Sequence, residues 1–330
     1  MATALTKMNV DGLRVSGFPV YSLNRDEKRQ QLLMLLDYDY SQVIQEGVVG
    51  QTMHGQSLAW HYQPHHWGVR CGDMLTPIEV FGDAQLLQAA LERRKELGSC
   101  KTVSDLRKAL RTFSGTQSVS NFRPTAAAAI YDRYLPDSGG VVWDMSAGYG
   151  GRMLGALACG KVAKYVGTDP ATLTMDGLCE MRDELLPMVR GMGYKTPLVE
   201  LHRIGSEDFR PKAESLSLCC TSSPYGKNER YSDEPTQSYI RFPTNEAWLN
   251  GYMRMTLDNC RVGLKRDGFL VINIAGVKSY PTLHEDFVAL AVSNDWRLVE
   301  TLQLTLSKMV GTGKQEASYK YEPVYAFSKS

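Results

Sequence analysis

The sequence has no long apolar run. Nothing in its 330 residues approaches the ~18 consecutive apolar residues of a membrane-spanning helix, and the first residues lack the short apolar core of a secretory leader. A disulfide framework is also missing. The seven cysteines are scattered, apart from the adjacent Cys219 and Cys220, so a reducing cytoplasm is the expected setting. Charge of one sign is absent too: 37 Lys and Arg stand against 36 Asp and Glu. Near-neutrality neither supports nor excludes a nucleic-acid partner, because a local basic stripe can be balanced elsewhere. Internal repeats and low-complexity segments are lacking, which excludes solenoids and arrays.

What is present is ordinary globular composition, 43% hydrophobic and 22% charged, in a chain long enough for a large α/β domain and a smaller unit. Residues 1–100 read as an N-terminal accessory region with a possible target-recognition role. That region contains the aromatic and histidine-rich run Trp60-His61-Tyr62-Gln63-Pro64-His65-His66-Trp67 and ends in a predicted helix over Asp83–Leu97. Residues 101–330 read as the main domain. After an Ala-rich helix, Ala126–Tyr134, short apolar runs alternate with helical stretches. The runs are 141–143, 165–168, 198–201, 216–220 and 269–274. The helices are predicted over 153–159, 175–189, 246–264 and 283–293. Such alternation predicts βαβ units and a mainly parallel sheet of seven strands, closed by a C-terminal antiparallel edge hairpin from 297–304 and 321–328.

The first apolar run leads into Asp144-Met145-Ser146-Ala147-Gly148-Tyr149-Gly150-Gly151-Arg152, and a helix begins at once. Glycines there permit a sharp strand-to-helix turn and close approach of a ligand to the main chain. The second run ends at Asp169, 21 residues after Gly148, where a carboxylate can accept hydrogen bonds from ribose hydroxyls. The full G-x-G-x-x-G spacing is lacking, so a dinucleotide pyrophosphate fits poorly. Asp144 at the turn would repel a phosphate but suits an amino-bearing ligand. S-adenosylmethionine, with an α-amino group, a sulfonium and no phosphate, meets these conditions. Glu207 and Asp208, after the third run, are expected either to hold the adenine amino group or to cap a helix.

The fourth run is followed by Ser222-Ser223-Pro224-Tyr225. An exocyclic amino nitrogen is a poor nucleophile because its lone pair is delocalised into the ring. Accepting both of its N–H hydrogens, one on the Ser222 hydroxyl and one on the Ser223 carbonyl, would draw the lone pair out. Pro224 would steady the turn and Tyr225 would stack on the base. With these segments the chain resembles the DNA amino-methyltransferases that make N6-methyladenine or N4-methylcytosine, phage-encoded members in particular. That family carries an [DNS]-P-P-[YFW] motif after its fourth strand, a glycine motif similar to Asp144–Gly150 with Ser146 and Ala147 inside it, and an acid at the position of Asp169. The resemblance also implies that Asn121-Phe122-Arg123-Pro124-Thr125 packs on the methionine end of the cofactor. It covers about residues 110–330 and implies S-adenosylmethionine as cofactor and DNA as partner. Ser223 stands where the family has its first proline, keeping the carbonyl but losing the ring constraint. RNA or a protein glutamine is the rival substrate, and a non-catalytic binding module on the same fold is the rival class.

Beyond the motif, Lys227, Arg230 and Arg241 interleave with Tyr231 and Tyr239, a pattern that suits phosphate contact and base stacking or a solvated loop. A duplex substrate would require the target base to be flipped out. Asn273, ending the fifth run, is expected to line the pocket or to be structural. His61, His65, His66 and Cys71 cluster without a second ligand pair at zinc spacing, so no metal is expected. Oligomeric state has no signature in the sequence.

Overall fold

A computed structural model of the chain describes residues 10–98, 101–308 and 319–330. In chain order its strands among these residues are β1 (Ile44–Gln45), β2 (Val48–Val49), β3 (Arg70–Cys71), β4 (Gly140–Asp144), β5 (Val162–Thr168), β6 (Leu198–His202), β7 (Leu216–Ser222), β8 (Glu229–Arg230), β9 (Leu264–Asn273), β10 (Trp296–Lys308) and β11 (Tyr319–Lys329). Two compact units interleave along the chain. Among the described residues, the larger comprises those of Leu23–Gln63, Asn121–Lys227 and Asp233–Ser330; the smaller draws on those of 10–22, Pro64–Ser120 and Asn228–Ser232.

The larger unit is built on one sheet of order β1-β2-β10-β11-β9-β7-β4-β5-β6. From β6 to β9 all pairings are parallel. β11 runs antiparallel to both β9 and β10. The chain winds outward through β4, β5 and β6, then returns beside β4 to make β7. That reversal is the topological switch at which open α/β sheets bind ligands, beyond the carboxyl ends of their strands. This is the Rossmann-like order with a reversed final strand that typifies S-adenosylmethionine-dependent methyltransferases.

The strands read as continuous apolar runs because both faces of the sheet are covered. Val142, Leu218, Cys220 and Val271 pack into one core, with the helices Pro124–Tyr134, Gly151–Ala158 and Thr172–Gly191. Their neighbours Trp143, Cys219, Leu270 and Ile272 point the other way. They join Trp248, Leu257 and Phe287 in a second core. The period-2 geometry of a strand thus assigns alternate residues to opposite layers.

Three sequence expectations change. The sheet has nine strands, not seven. The C-terminal hairpin is not its edge, because β2 pairs in parallel with β10 through Gln303↔Val48 and Leu304↔Val49, and β1 lies outside β2. Two-residue strands bury too little to leave a periodic trace, so their existence was not legible. The predicted 246–264 helix is interrupted: a π-helical turn over Trp248–Met253 leads into Arg254–Gly263. A single widened turn leaves the hydrophobic period nearly intact and so escapes a pattern reading.

The smaller unit is helical around its own core of Leu13, Val80, Phe81, Leu87, Leu106 and Leu110. Helices Pro77–Gly82 and Val103–Thr112 each begin with a capping box, Thr76 with Glu79 and Thr102 with Asp105. A two-stranded ribbon, β3 with β8, belongs to this unit. Trp67 is fully buried between Phe18 and Tyr21, with the Arg111 guanidinium 4.4 Å from its ring. Among the described residues no helix is long and apolar enough to cross a membrane, and no group of three or more His, Cys, Asp or Glu could hold a metal ion. His66 instead contacts Arg111 at 3.2 Å, and His61 accepts the Leu23 amide at 3.2 Å.

Candidate active site

The loop from β4 to the helix Gly151–Ala158 lies at the switch point. Gly148 (φ 54°) and Gly150 (φ 82°) adopt the left-handed conformation that a Cβ disfavours, and this lets the chain reverse within a few residues. Gly151 is required for a different reason. A Cβ there would stand 1.9 Å from the Phe122 carbonyl oxygen, so the helix start and the Asn121–Thr125 segment touch through their backbones. The Gly151 amide donates to Asn121 Oδ1 at 3.3 Å. The Asn121–Thr125 segment thus meets the start of the helix that follows the glycine loop.

Residues 44–63, which carried no signal for this role, brace that segment. Gln56 exchanges two hydrogen bonds with Asn121, to its carbonyl and from its side-chain amide, each 3.0 Å. Gln51 accepts from Arg123 at 3.0 Å, and Thr52 bonds Thr125 at 3.0 Å. Arg123 and Thr125 are thus engaged within the protein, and Pro124 opens the following helix. Phe122 is half-buried, with the Arg152 guanidinium 5.5 Å from its ring.

Asp144 departs from expectation. It is fully buried, and its carboxylate accepts from Arg152 Nε at 2.8 Å, Tyr165 Oη at 2.7 Å and Thr221 Oγ1 at 2.8 Å. A charge so surrounded cannot also receive a ligand's amino group. Its role is to anchor the loop, since Arg152 also donates to the Ser146 carbonyl. Burial draws the Arg152 guanidinium down, and the attraction of Asp144 more than reverses this, holding it above its ordinary range. Neither Arg152 nor Thr221 was singled out from the sequence. Only the tertiary fold brings them to Asp144.

Asp169 sits at the end of β5 as expected. It accepts the Gly148 amide at 3.0 Å and the Ala171 amide at 3.0 Å, one on each oxygen. Each oxygen keeps a lone pair for a further donor. Burial raises its carboxyl from 3.8 to about 6, against the pull of those two amides. The Ala147 amide is fixed to the Thr168 carbonyl at 2.9 Å. Ser146 Oγ lies 3.1 Å from Tyr252 Oη, which the π-helical turn carries.

Glu207 is almost fully buried, and its Oε2 has no hydrogen-bond partner among the described residues. Burial raises its carboxyl. Its other oxygen and the exposed Asp208 both pair with Arg241. Glu207 and Asp208 lie in a turn and do not cap a helix, and Arg241, read as a phosphate contact, is paired with both carboxylates. The Glu234 carboxylate, missed in the sequence, accepts the Thr172 amide and hydroxyl at 2.9 Å each and ties the following loop to the helix Thr172–Gly191.

At the end of β7, Ser222 Oγ donates to Asn273 Oδ1 at 3.0 Å. Ser223 is buried, and its amide donates to the Asn273 carbonyl at 3.0 Å. Tyr225 Oη donates to Glu322 Oε2 at 3.1 Å. Glu322, from the start of β11, was not anticipated. Of the residues read as substrate contacts, Lys227 is exposed and lies two residues after the motif. Arg230 and Tyr231 belong to the smaller unit, where Tyr231 bonds Glu229. Tyr239 is half-buried in the short helix Ser238–Arg241.

No protein-family model and no curated protein matches the chain. Similar solved structures include a magnesium protoporphyrin IX methyltransferase from Synechocystis with bound S-adenosylmethionine. It is 14% identical, with a TM-score of 0.41 over 63% of this chain and 78% of that one. A TehB-like S-adenosylmethionine-dependent methyltransferase from Corynebacterium glutamicum is 14% identical, with a TM-score of 0.40 over 75% of this chain and 100% of that one. An S-adenosylmethionine-dependent methyltransferase from Methanosarcina mazei is 10% identical, with a TM-score of 0.42 over 61% and 96%. The fold itself rests on the strand order and pairing described above.

Two predictions follow from the geometry. Arg152→Met leaves the Asp144 carboxylate buried without its counter-charge and should lower stability by about 3–5 kcal/mol in urea unfolding. An effect under about 1 kcal/mol would show that the pair is not an anchor. Cofactor affinity should fall as pH drops through about 6, because Asp169 then gains a proton and one of its acceptor oxygens becomes a donor. Folding stability should move oppositely. The folded carboxyl holds its proton up to about 6, against 3.8 as the ordinary value, so this group adds stability as pH falls from 6 towards 4. Calorimetric titration of S-adenosylmethionine from pH 5 to 8, with Asp169→Asn as a flat control, checks the first sign.

Proposed function

We propose that this chain transfers a methyl group from S-adenosylmethionine to an exocyclic amino nitrogen of a DNA base, adenine N6 or cytosine N4. The observation that carries the reading is the state of Ser222-Ser223-Pro224-Tyr225. These residues lie at the carboxyl end of β7, beside the switch point, with Ser222 and the Ser223 backbone both fixed to Asn273 on the neighbouring strand.

Cofactor fit is supported by groups of this chain that still have acceptor capacity. Asp169 has lone pairs for ribose hydroxyls. Glu207 Oε2, buried and without a hydrogen-bond partner among the described residues, suits an amino donor, since leaving such an atom unsatisfied costs about 1–3 kcal/mol. Gly148 leaves the loop backbone open to close approach, whereas the space beside Gly150 is filled by Met181 and Leu178. When bound, S-adenosylmethionine supplies an electrophilic methyl carbon on a sulfonium. The protein's part is then positioning. Ser222 Oγ and the Ser223 carbonyl accept the two amino hydrogens, Tyr225 holds the ring, and no protein nucleophile is needed. A flipped base meets these requirements.

The Ser223 departure from the family motif supports an active site more than a degenerate one. Proline has no amide hydrogen, whereas the Ser223 amide is bonded to the Asn273 carbonyl, so a hydrogen bond ties down the main chain where the ring constraint is missing.

Incubation with labelled S-adenosylmethionine and, separately, DNA, RNA and protein extract tests the reading. Label should enter DNA and digest to methylated adenine or cytosine. Label in RNA or protein alone would replace the substrate, and cofactor binding with no transfer would replace the class by a binding module. Tyr225→Ala should cost about 1–3 kcal/mol in transition-state stabilisation while cofactor affinity is unchanged. Full activity in that variant would remove the motif from the mechanism.

A further inference from the structure

Four polar side chains meet at the ends of β7, β9 and β11: Ser222, Asn273, Glu322 and Tyr225. Resting on the reading above, we propose that Asn273 and Glu322 are positioning residues that commit the Ser222 hydroxyl to accepting, and fix the Tyr225 ring, at the amino group of the substrate.

The direction of each bond follows from valence. Asn273 Nδ2 lies 3.0 Å from the Pro323 carbonyl and 3.4 Å from Glu322 Oε2. Both partners can only accept, so the amide end of Asn273 must face them and its Oδ1 must face Ser222. That oxygen, 3.0 Å from Ser222 Oγ, can only accept in turn. The single proton of the Ser222 hydroxyl is therefore directed to Asn273, and the remaining lone pairs of Oγ are available to an incoming N–H. A serine free to rotate could instead donate to the amino nitrogen and occupy the lone pair that must attack the methyl carbon. Asn273 thereby gives serine the acceptor-only character that an Asp carboxylate or Asn carbonyl has by nature at the motif's first position.

Glu322 secures the far end of the same chain. Its Oε2 accepts from both Asn273 Nδ2 and Tyr225 Oη. One oxygen thus couples the acceptor side of the site to its stacking side. Register places these groups together. Ser222 pairs with Asn273 across β7 and β9, and Val324 pairs with Asn273 across β11 and β9, which sets Glu322 and Pro323 just beyond.

Because both bonds end on one oxygen, Glu322→Gln can preserve them through its amide oxygen, whereas Glu322→Leu cannot. With wild-type protein and the DNA substrate, Glu322→Leu should lower kcat by about tenfold to a hundredfold, with S-adenosylmethionine affinity within about twofold of wild type. Glu322→Gln should recover most of the rate. An unchanged kcat in the Leu variant, or equal loss in both variants, would overturn the proposal. A readout without turnover separates this result from failure of the methyltransferase reading. The 15N-labelled side-chain amide of Asn273 should shift in Ser222→Ala and in Glu322→Leu. If neither variant moves it, the coupling does not exist, whatever the activity. If both move it while wild-type protein methylates no substrate, the function assigned above fails and the hydrogen-bond chain stands.

Discussion

A buried charge must be matched where it lies, and the candidate site is organised around one such match. Asp144 ends the first strand of the parallel sheet with no solvent contact, and Arg152 reaches back to it from the first turn of the following helix. Desolvating either ion alone would cost several kcal/mol, so the two hold each other and everything threaded between them. The loop from Met145 to Gly151 is that thread. Arg152 fastens it at the Ser146 carbonyl, Thr221 brings β7 to the same carboxylate, and Tyr165 brings β5. Three adjacent strands and one helix are thereby registered on two oxygen atoms. The glycine conformations and the Asp169 bond to Gly148 depend on that frame.

The parts of this arrangement visible in the sequence are those with a short-range signature. Strands β4, β5, β6 and β7 are apolar runs, and the glycine loop announces itself by composition. Asp169 is found by its distance along the chain, and Ser222–Tyr225 by its position after the fourth run. What could not be read is pairing between distant residues. Asp144 looks like a ligand for an amino group until Arg152, Tyr165 and Thr221 are seen to use it up. Arg241 looks like a free cation until Glu207 and Asp208 are found against it. An isolated charge in a sequence is ambiguous because its partner lies on another element, and burial decides whether that partner is protein or ligand.

The same limit explains β1 and β2. Ile44–Gln45 and Val48–Val49 are too short for periodicity, yet β2 covers the outer edge of β10, which would otherwise present unpaired backbone. Residues 51–56 then go on to brace Asn121–Thr125. A stretch assigned to an accessory region on composition belongs to the larger unit and is hydrogen-bonded to the segment that touches the start of the helix Gly151–Ala158. The smaller unit, in turn, takes in Asn228–Ser232, so the segment that leaves Tyr225 contributes β8 to a second fold.

Ser223 shows how a lost covalent constraint can be recovered by backbone geometry. Proline fixes φ and gives up a donor, and both properties are local. Serine at the same place leaves φ free but restores the amide hydrogen. That hydrogen reaches the Asn273 carbonyl of β9, because β7 and β9 are parallel neighbours in register at Ser222↔Asn273. The main chain at Ser223 is thus held by the sheet, not by a ring. Asn273 serves twice here, with its carbonyl on Ser223 and its side chain on Ser222. The two leading serines are thus both tied to one residue at the end of β9. That asparagine is the tertiary partner of the Ser222–Ser223 segment, although 49 residues of chain intervene between Ser223 and Asn273.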